Sequence, residues 1–240
     1  MLLKDKLEPY RLLLASQSPR RRELMTGCGL PYEPAPKYEC EEIYPDSLPA
    51  EEVPLFLSRL KSEAYPAPLG ANDILLTADT VVISDGEVLG NTQYVAYIIQ
   101  ENTGADIFRI EAEIPYPLDH DTLVDQAAEE QDSNARPAIA DHVDNMDDYD
   151  TIFLGYPNWW GDMPMILYTF LEEYDLSGKT IVPFNTHGGS GFSNTIQTIA
   201  ELQPGADVLE DGFTVSRNNV AEAGSDVVSW LDEHGFTAAN

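Results

Sequence analysis

Thr151-Ile152-Phe153-Leu154-Gly155-Tyr156-Pro157-Asn158-Trp159-Trp160-Gly161 is the stretch on which the fold of this 240-residue chain turns. Residues 151–156 form a short apolar run around Ile152, Phe153 and Leu154, which reads as a buried strand. Gly155 to Gly161 reads as the loop that leaves it. The arrangement recurs downstream: Thr180 to Asn185 is a second buried strand, and Asn185-Thr186-His187-Gly188-Gly189-Ser190-Gly191 is its loop. Helices follow both, at Pro164 to Tyr174 and Ser193 to Leu202. Strands that alternate with helices argue for an α/β fold with a doubly wound parallel sheet.

Outward from this centre, Val95, Ile98 and Ile99 predict a helix ending near Gly104, Asp106 to Glu111 a strand, and Asp119 to Ser133 a polar helix. Val208 to Val215 is strand-like, and Asn219 to His234 closes the chain with a helix. At the start, Tyr10 to Ala15 is a short strand, and Ser18 can cap a helix (Arg20 to Cys28) that has Pro19 at its first position. Residues 31–49, rich in Pro and acids, read as loop or edge strand. Glu51 to Tyr65 is helical by the spacing of Val53, Phe56, Leu57 and Leu60. Ile74 to Ile83 is a long β-prone run, followed by an Asp85-Gly86 turn.

Hydrophobic content of 43% excludes a disordered chain, and no apolar run approaches the roughly 20 residues that cross a bilayer. The charged start, Met1-Leu2-Leu3-Lys4-Asp5-Lys6, lacks the apolar stretch of a signal peptide, so a cytoplasmic location is expected. Cys28 and Cys40 read as reduced thiols. Net charge is −29 and uneven: residues 1–90 hold 9 Lys/Arg against 15 Asp/Glu, and residues 91–240 hold 4 against 27. Such a surface repels phosphate backbones, which argues against a nucleic-acid polymer and for a basic docking partner.

In a doubly wound sheet, ligands sit at the carboxyl ends of the strands, where both conspicuous loops lie. Two adjacent tryptophans cannot point into one core, so Trp159 or Trp160 is expected to face a ligand or solvent. A planar aromatic there can stack on a flat ring. The glycines of 186–191 let backbone N–H groups approach a ligand closely. Burying aromatics and making turns are the commoner uses of each feature alone. Their occurrence together, after successive strands of one sheet, favours a binding site.

Asn91-Thr92-Gln93-Tyr94-Val95-Ala96, Tyr116-Pro117, 153–161, Phe170-Leu171-Glu172 and 186–191 together resemble short bacterial flavodoxin-like proteins. The resemblance covers nearly all of 91–240. It implies FMN, with Tyr156, Pro157, Asn158, Trp159, Trp160 and Gly161 on one side of the isoalloxazine. Thr186, His187, Gly188, Gly189, Ser190 and Gly191 would lie on the other, and Gly90, Asn91 and Thr92 would end the phosphate loop. The family's first strand and hydroxyl-rich loop are missing. In their place stand Ser84-Asp85-Gly86-Glu87-Val88-Leu89, whose two carboxylates would repel a phosphate by about 1 kcal/mol or more each.

Residues 1–90 resemble a different family. Leu14 to Arg21, Glu42-Ile43-Tyr44-Pro45, Leu57 to Lys61, Ala78 to Val82 and Gly86 to Gly90 look like the Maf nucleotide pyrophosphatases. That resemblance implies Ser16, Ser18, Arg20, Arg21 and Lys61 at a nucleoside triphosphate and Asp79 as the catalytic carboxylate, either an acid/base or linked to a metal. It also implies Mg²⁺ or Mn²⁺, with Glu42 as a candidate ligand. Paired arginines at a helix start suit an anion. The likeness stops at Gly90, with about half of that family's domain absent, as in a fusion of two gene pieces.

The expected organisation is a partial Maf-like segment over 1–79 and a flavodoxin-like domain over 80–240. Its leading function is an FMN-dependent electron carrier or small reductase that exchanges electrons with a partner protein or small acceptor. Acidic surroundings should lower the flavin's potential. A Maf-like pyrophosphatase and a non-functional hybrid are the rivals. A sheet lacking its first strand leaves a gap near 10 Å between 106–111 and 151–156. Residues 80–84, or else 74–79, are therefore expected to insert there in parallel, with Val82 bonded to both neighbours. A hairpin of 80–84 with 87–89 would instead leave two unfinished domains and take away the FMN function.

Overall fold

The computed structural model describes all residues except 1–2, 17, 46, 80, 85–86, 118–119 and 239–240, and only the backbone of 3, 4, 19, 20, 82, 84, 87 and 120. The chain divides into two compact units, Met1–Leu89 and Gly90–Asn240.

The second unit is built on β6 (Thr151–Pro157) and β7 (Thr180–His187), parallel from Thr151 opposite Thr180 to Pro157 opposite Thr186. Two short strands continue the sheet in parallel beyond β7: β8 (Asp207–Val208) along its start and β9 (Phe213–Ser216) along its end. The strand expected over 208–215 is thus broken, and Pro183 explains the break. The carbonyls of Ile181 and His187 face this side of β7, accepting from Leu209 and Arg217 N–H at 2.9 and 2.8 Å. Pro183 faces the same way by strand alternation and has no N–H to donate, so the ladder lapses opposite it.

Helices cover both faces. Ile152, Leu154, Tyr156 and Ile181 pack with Ile166, Leu167, Phe170 and Leu171 of α6 (Met165–Glu173) and Ile199 of α7 (Thr195–Leu202). Phe153, Val182, Phe184 and Phe213 pack on the other face. Their partners are Val95, Ile98 and Ile99 of α4 (Asn91–Thr103) and Val227, Trp230 and Leu231 of α8 (Gly224–Glu233). The unit is therefore the expected doubly wound α/β layer, with α5 (His120–Asp132) as the expected polar helix.

The first unit has a three-stranded parallel sheet, β1 (Arg11–Leu14) between β2 (Glu33–Pro34) and β3 (Asp73–Leu76). Its helices are α1 (Leu3–Leu7), α2 (Pro19–Gly27) and α3 (Val53–Glu63). Leu12, Leu13, Leu14, Val53 and Leu57 are buried. Ser18 occupies the N-cap position of α2 without a side-chain capping bond, its own N–H turning back to Ser16 Oγ at 3.2 Å. Both cysteines are free thiols.

Two expectations fail together. The segment at 82–84 does not enter the parallel sheet: β4 (Val82–Ser84) pairs antiparallel with β5 (Glu87–Leu89), Val82 opposite Leu89. The segment at 74–79 is also committed elsewhere, as β3 beside β1. A two-residue connection closes a hairpin at small entropic cost, whereas docking on a distant edge must order a longer loop. The Asp85-Gly86 turn itself and Thr80 lie outside the described residues. With the gap unfilled, 106–111 has no strand to pair with and forms none. Ala112 makes only an isolated bridge to Ile139, and Tyr149 Oη holds Asp106 at 2.9 Å. Among the described residues β7 is the one strand beside β6, and no described helix is long and apolar enough to cross a membrane.

The β6–β7 pairing depends on Gly155. A Cβ there would meet the Phe184 ring at 2.0 Å, inside the buried face. Gly155→Ala is expected to destabilise the second unit by about 1–3 kcal/mol through overpacking. Urea unfolding should show a lower midpoint at unchanged slope; an unchanged midpoint would mean the Phe184 ring relaxes freely.

Candidate functional site

The carboxyl ends of β6 and β7 carry the two loops singled out by sequence, and one carbonyl ties them together. Gly191 O accepts from Asn158 Nδ2 at 3.1 Å and from Asn185 Nδ2 at 2.9 Å. Asn158 Oδ1 in turn accepts from Gly161 N–H at 3.1 Å, closing the first loop. Asn185 is fully buried at the end of the apolar run of β7, and Thr214 of β9 donates to its Oδ1 at 2.6 Å. A buried carboxamide with its donors and acceptor matched fixes geometry, because breaking any one bond strands a polar group.

Gly189 and Gly191 have φ of 138° and 59°, values open to glycine at little cost, and the loop takes its path through them. Inside it, His187 Nδ1 accepts from Gly189 N–H at 2.9 Å, which places the imidazole proton on Nε2. Partial burial lowers the His187 pKa below its ordinary value.

The tryptophans part company as expected. Trp159 turns inward, its ring edge-on to Tyr116 at 5.3 Å, and Tyr116 donates to Glu130 at 2.9 Å. Trp160 is 60% exposed, has a φ of 52° and is pinned by its indole N–H to the Val124 carbonyl at 3.1 Å. A large residue held in the left-handed region with its ring in solvent is the kind of local strain that collects at binding sites. Tyr156 is different. It is buried in the core, its hydroxyl donating to Thr195 at 2.7 Å, so it supports the loop from beneath. The start of α4 joins the same sheet end, with Thr92 Oγ1 2.8 Å from Thr186 Oγ1. Gly90 N–H is directed to Gln93 Oε1 at 3.4 Å.

In the first unit, Lys61 Nζ lies between Glu42 Oε1 at 2.9 Å and Asp79 Oδ2 at 3.2 Å. Arg21 donates to Ser16 Oγ at 3.2 Å and to the Ala78 carbonyl at 2.8 Å. Ser16, Ser18, Arg21 and Ala78 thus gather at the carboxyl end of β1 and the start of α2. Glu42, Lys61 and Asp79 form an ion triad. No group of three or more metal-ligating side chains occurs among the described residues.

Residues 81–234 match the flavodoxin family model. The chain belongs to the flavodoxin family. Two solved structures resemble the flavodoxin-like unit: a protein from Bacteroides eggerthii described as a flavoprotein, and a second so described from Bacteroides uniformis. The first is 31% identical, with a TM-score of 0.52 over 60% of this chain and 91% of its own. The second is 28% identical, with a TM-score of 0.52 over 59% and 90%. Residues 11–100 match the Maf-like family model. Here the curated relatives are a dTTP/UTP pyrophosphatase of Bacteroides fragilis, 48% identical over 84 residues, and one of Porphyromonas gingivalis, 46% identical over 91. The chain spans 44% and 46% of their lengths, less than half of each.

Within this flavodoxin family member, the sequence singled out both loops at the ends of β6 and β7 but missed the residues that hold them together. Asn185 carried a signal, a polar residue ending an otherwise apolar strand. Thr214 and the Gly191 carbonyl carried none, since their roles exist only once β9 lies beside β7.

The His187–Gly189 bond makes the loop pH-sensitive. Below about 6.5 the unfolded chain takes up a proton that folded His187 resists, because partial burial disfavours the charged imidazole, and a proton on Nδ1 would also displace the Gly189 N–H. This stability is fully present above that pH and is lost as pH falls through the lowered folded value. Urea midpoints between pH 8 and 5 should fall more steeply for the native chain than for His187→Gln, whose amide oxygen accepts without titrating. Parallel profiles would remove His187 from the account.

Proposed function

We propose that the flavodoxin-like unit binds FMN and serves as an electron carrier or small flavin reductase. The observation that carries this reading is the pair of loops at the ends of β6 and β7, locked to each other through the Gly191 carbonyl and flanked by exposed Trp160. The glycine-rich loop offers N–H groups toward a flat ring with acceptors along one edge, and Trp160 offers a stacking face. When bound, the flavin supplies the redox chemistry; the chain's own residues orient it and set the field around it. The acidic unit disfavours an anionic reduced flavin and so lowers its potential.

The β4–β5 hairpin removes the strand that would lead into a phosphate loop, with Val88 and Leu89 inside β5. The hairpin was expected to take away the FMN function, but the ring-side loops hang on β6 and β7, which pair without it, so we keep the flavin reading with weaker phosphate recognition. FMN and riboflavin should therefore bind within about tenfold of each other, a difference of about 1.4 kcal/mol or less. Adding FMN should quench tryptophan fluorescence, and Trp159→Ala with Trp160→Ala should weaken binding severalfold or more. A chain that ignores FMN, or a double variant with unchanged affinity, would overturn the assignment.

A second reading has its own observation, the Glu42–Lys61–Asp79 triad beside Arg21 and Ser16. We propose that the first unit retains part of a nucleoside triphosphate site. Glu42 and Asp79 would have to exchange the Lys61 ammonium for Mg²⁺ or Mn²⁺ before either carboxylate could hold a metal. Pyrophosphate release from dTTP or UTP with either ion, abolished by Asp79→Asn, would establish hydrolysis. Binding without release would limit the unit to nucleotide capture.

A further inference from the structure

Residues 91–240 contain four Lys or Arg, and three of them are matched within the unit. Arg109 pairs with Glu111 at 3.0 Å, Arg136 with Glu172 at 2.6 Å, and Lys179 donates to the Tyr149 carbonyl at 2.6 Å. Arg217 is the exception: among the described residues its guanidinium has no hydrogen bond or ion pair. With 27 carboxylates in the same 150 residues, an arginine without one is held away from them by its position.

That position is set by the sheet. Ser216, the last residue of β9, pairs with His187, the last of β7, and Arg217 N–H donates to the His187 carbonyl at 2.8 Å. The side chain then lies against the glycine-rich loop, where a Cβ added to Gly188 would meet Cζ and Nε at 4.0 Å. The guanidinium thus sits within van der Waals reach of the Gly188 backbone position. His187 adds a second donor, because its Nδ1 is taken by Gly189 and its proton sits on Nε2. A planar cation and a neutral N–H donor are thus both carried at the carboxyl end of a parallel sheet, in a unit that otherwise repels anions.

We propose that Arg217 and the 187–190 loop bind the oxyanion of a small organic acid. The anion site stands apart from the flavin reading, since it is argued from Arg217 and the loop alone. Arginine suits it because its fork takes a carboxylate through two parallel N–H bonds, which a lysine ammonium cannot reproduce.

The test uses the full chain without flavin, following the ¹⁵N signal of Arg217 Nε during titration with succinate and, separately, with inorganic phosphate. A saturable shift is expected with both. Arg217→Gln should weaken succinate binding on the order of tenfold or more, as expected for loss of a charge-assisted hydrogen bond, and Arg217→Lys should restore it only in part. Arg109→Gln should change nothing. No shift, or equal binding by Arg217→Gln, overturns the site. The titration is then repeated with saturating FMN or riboflavin. Succinate binding that survives both supports a separate acid. Loss with FMN but not riboflavin shows that the anion is the flavin's own phosphate and overturns the organic-acid assignment. If neither flavin binds, the flavin reading fails while the succinate titration still decides Arg217.

Discussion

The parallel pairing of β6 with β7 is the constraint on which the second unit rests. Seven residue pairs bring two strand ends level, so the loops after Pro157 and His187 emerge side by side. Gly155 leaves the space that the tip of the Phe184 ring occupies, and the same ring belongs to the core shared with α4 and α8. Everything at the candidate site follows from that alignment. Asn158 and Asn185 can share one carbonyl only because the strands end in register. Arg217 reaches Gly188 only because β9 is in register with the end of β7.

Strong one-dimensional signals were legible in the sequence, and relational ones were not. β6 and β7 announced themselves as apolar runs because both of their faces are buried, and α4 did so through Val95, Ile98 and Ile99 on one helical face. Both loops were visible from composition alone. Segment 106–111 misled for an instructive reason: its β propensity is real, but strand formation needs a neighbour, and that neighbour is missing. The break between β8 and β9 was written in Pro183, a residue on the adjacent strand. No local reading of 208–215 could have found it. The unmatched state of Arg217 is likewise a property of where 27 carboxylates are absent.

Residues 81–100 are claimed by both family models, and the structure divides them. The stretch up to Leu89 forms a hairpin with itself, the cheapest closure available to it. The stretch from Asn91 commits its apolar face to the second unit, with Val95 and Ile99 buried. The boundary at Leu89 and Gly90 is therefore energetic: local pairing satisfies one side and helix packing the other.

Among the described residues no strand pairs with the flank of β6 away from β7, which has a consequence for how molecules of this protein treat one another. A strand edge without a partner strand is a template on which another chain can pair, and β6 is rich in the apolar residues Ile152, Phe153 and Leu154. The excess of carboxylates in 91–240 is what keeps copies apart, and its reach is the screening length. At 0.1 M salt that length is about 10 Å, twice the roughly 4.8 Å between paired strands, so repulsion acts before pairing can begin. At 1 M it shrinks to about 3 Å, less than the strand spacing. The acidity that makes this surface poor for anions thus doubles as a colloidal guard over the unfinished sheet, and concentrated salt lifts that guard.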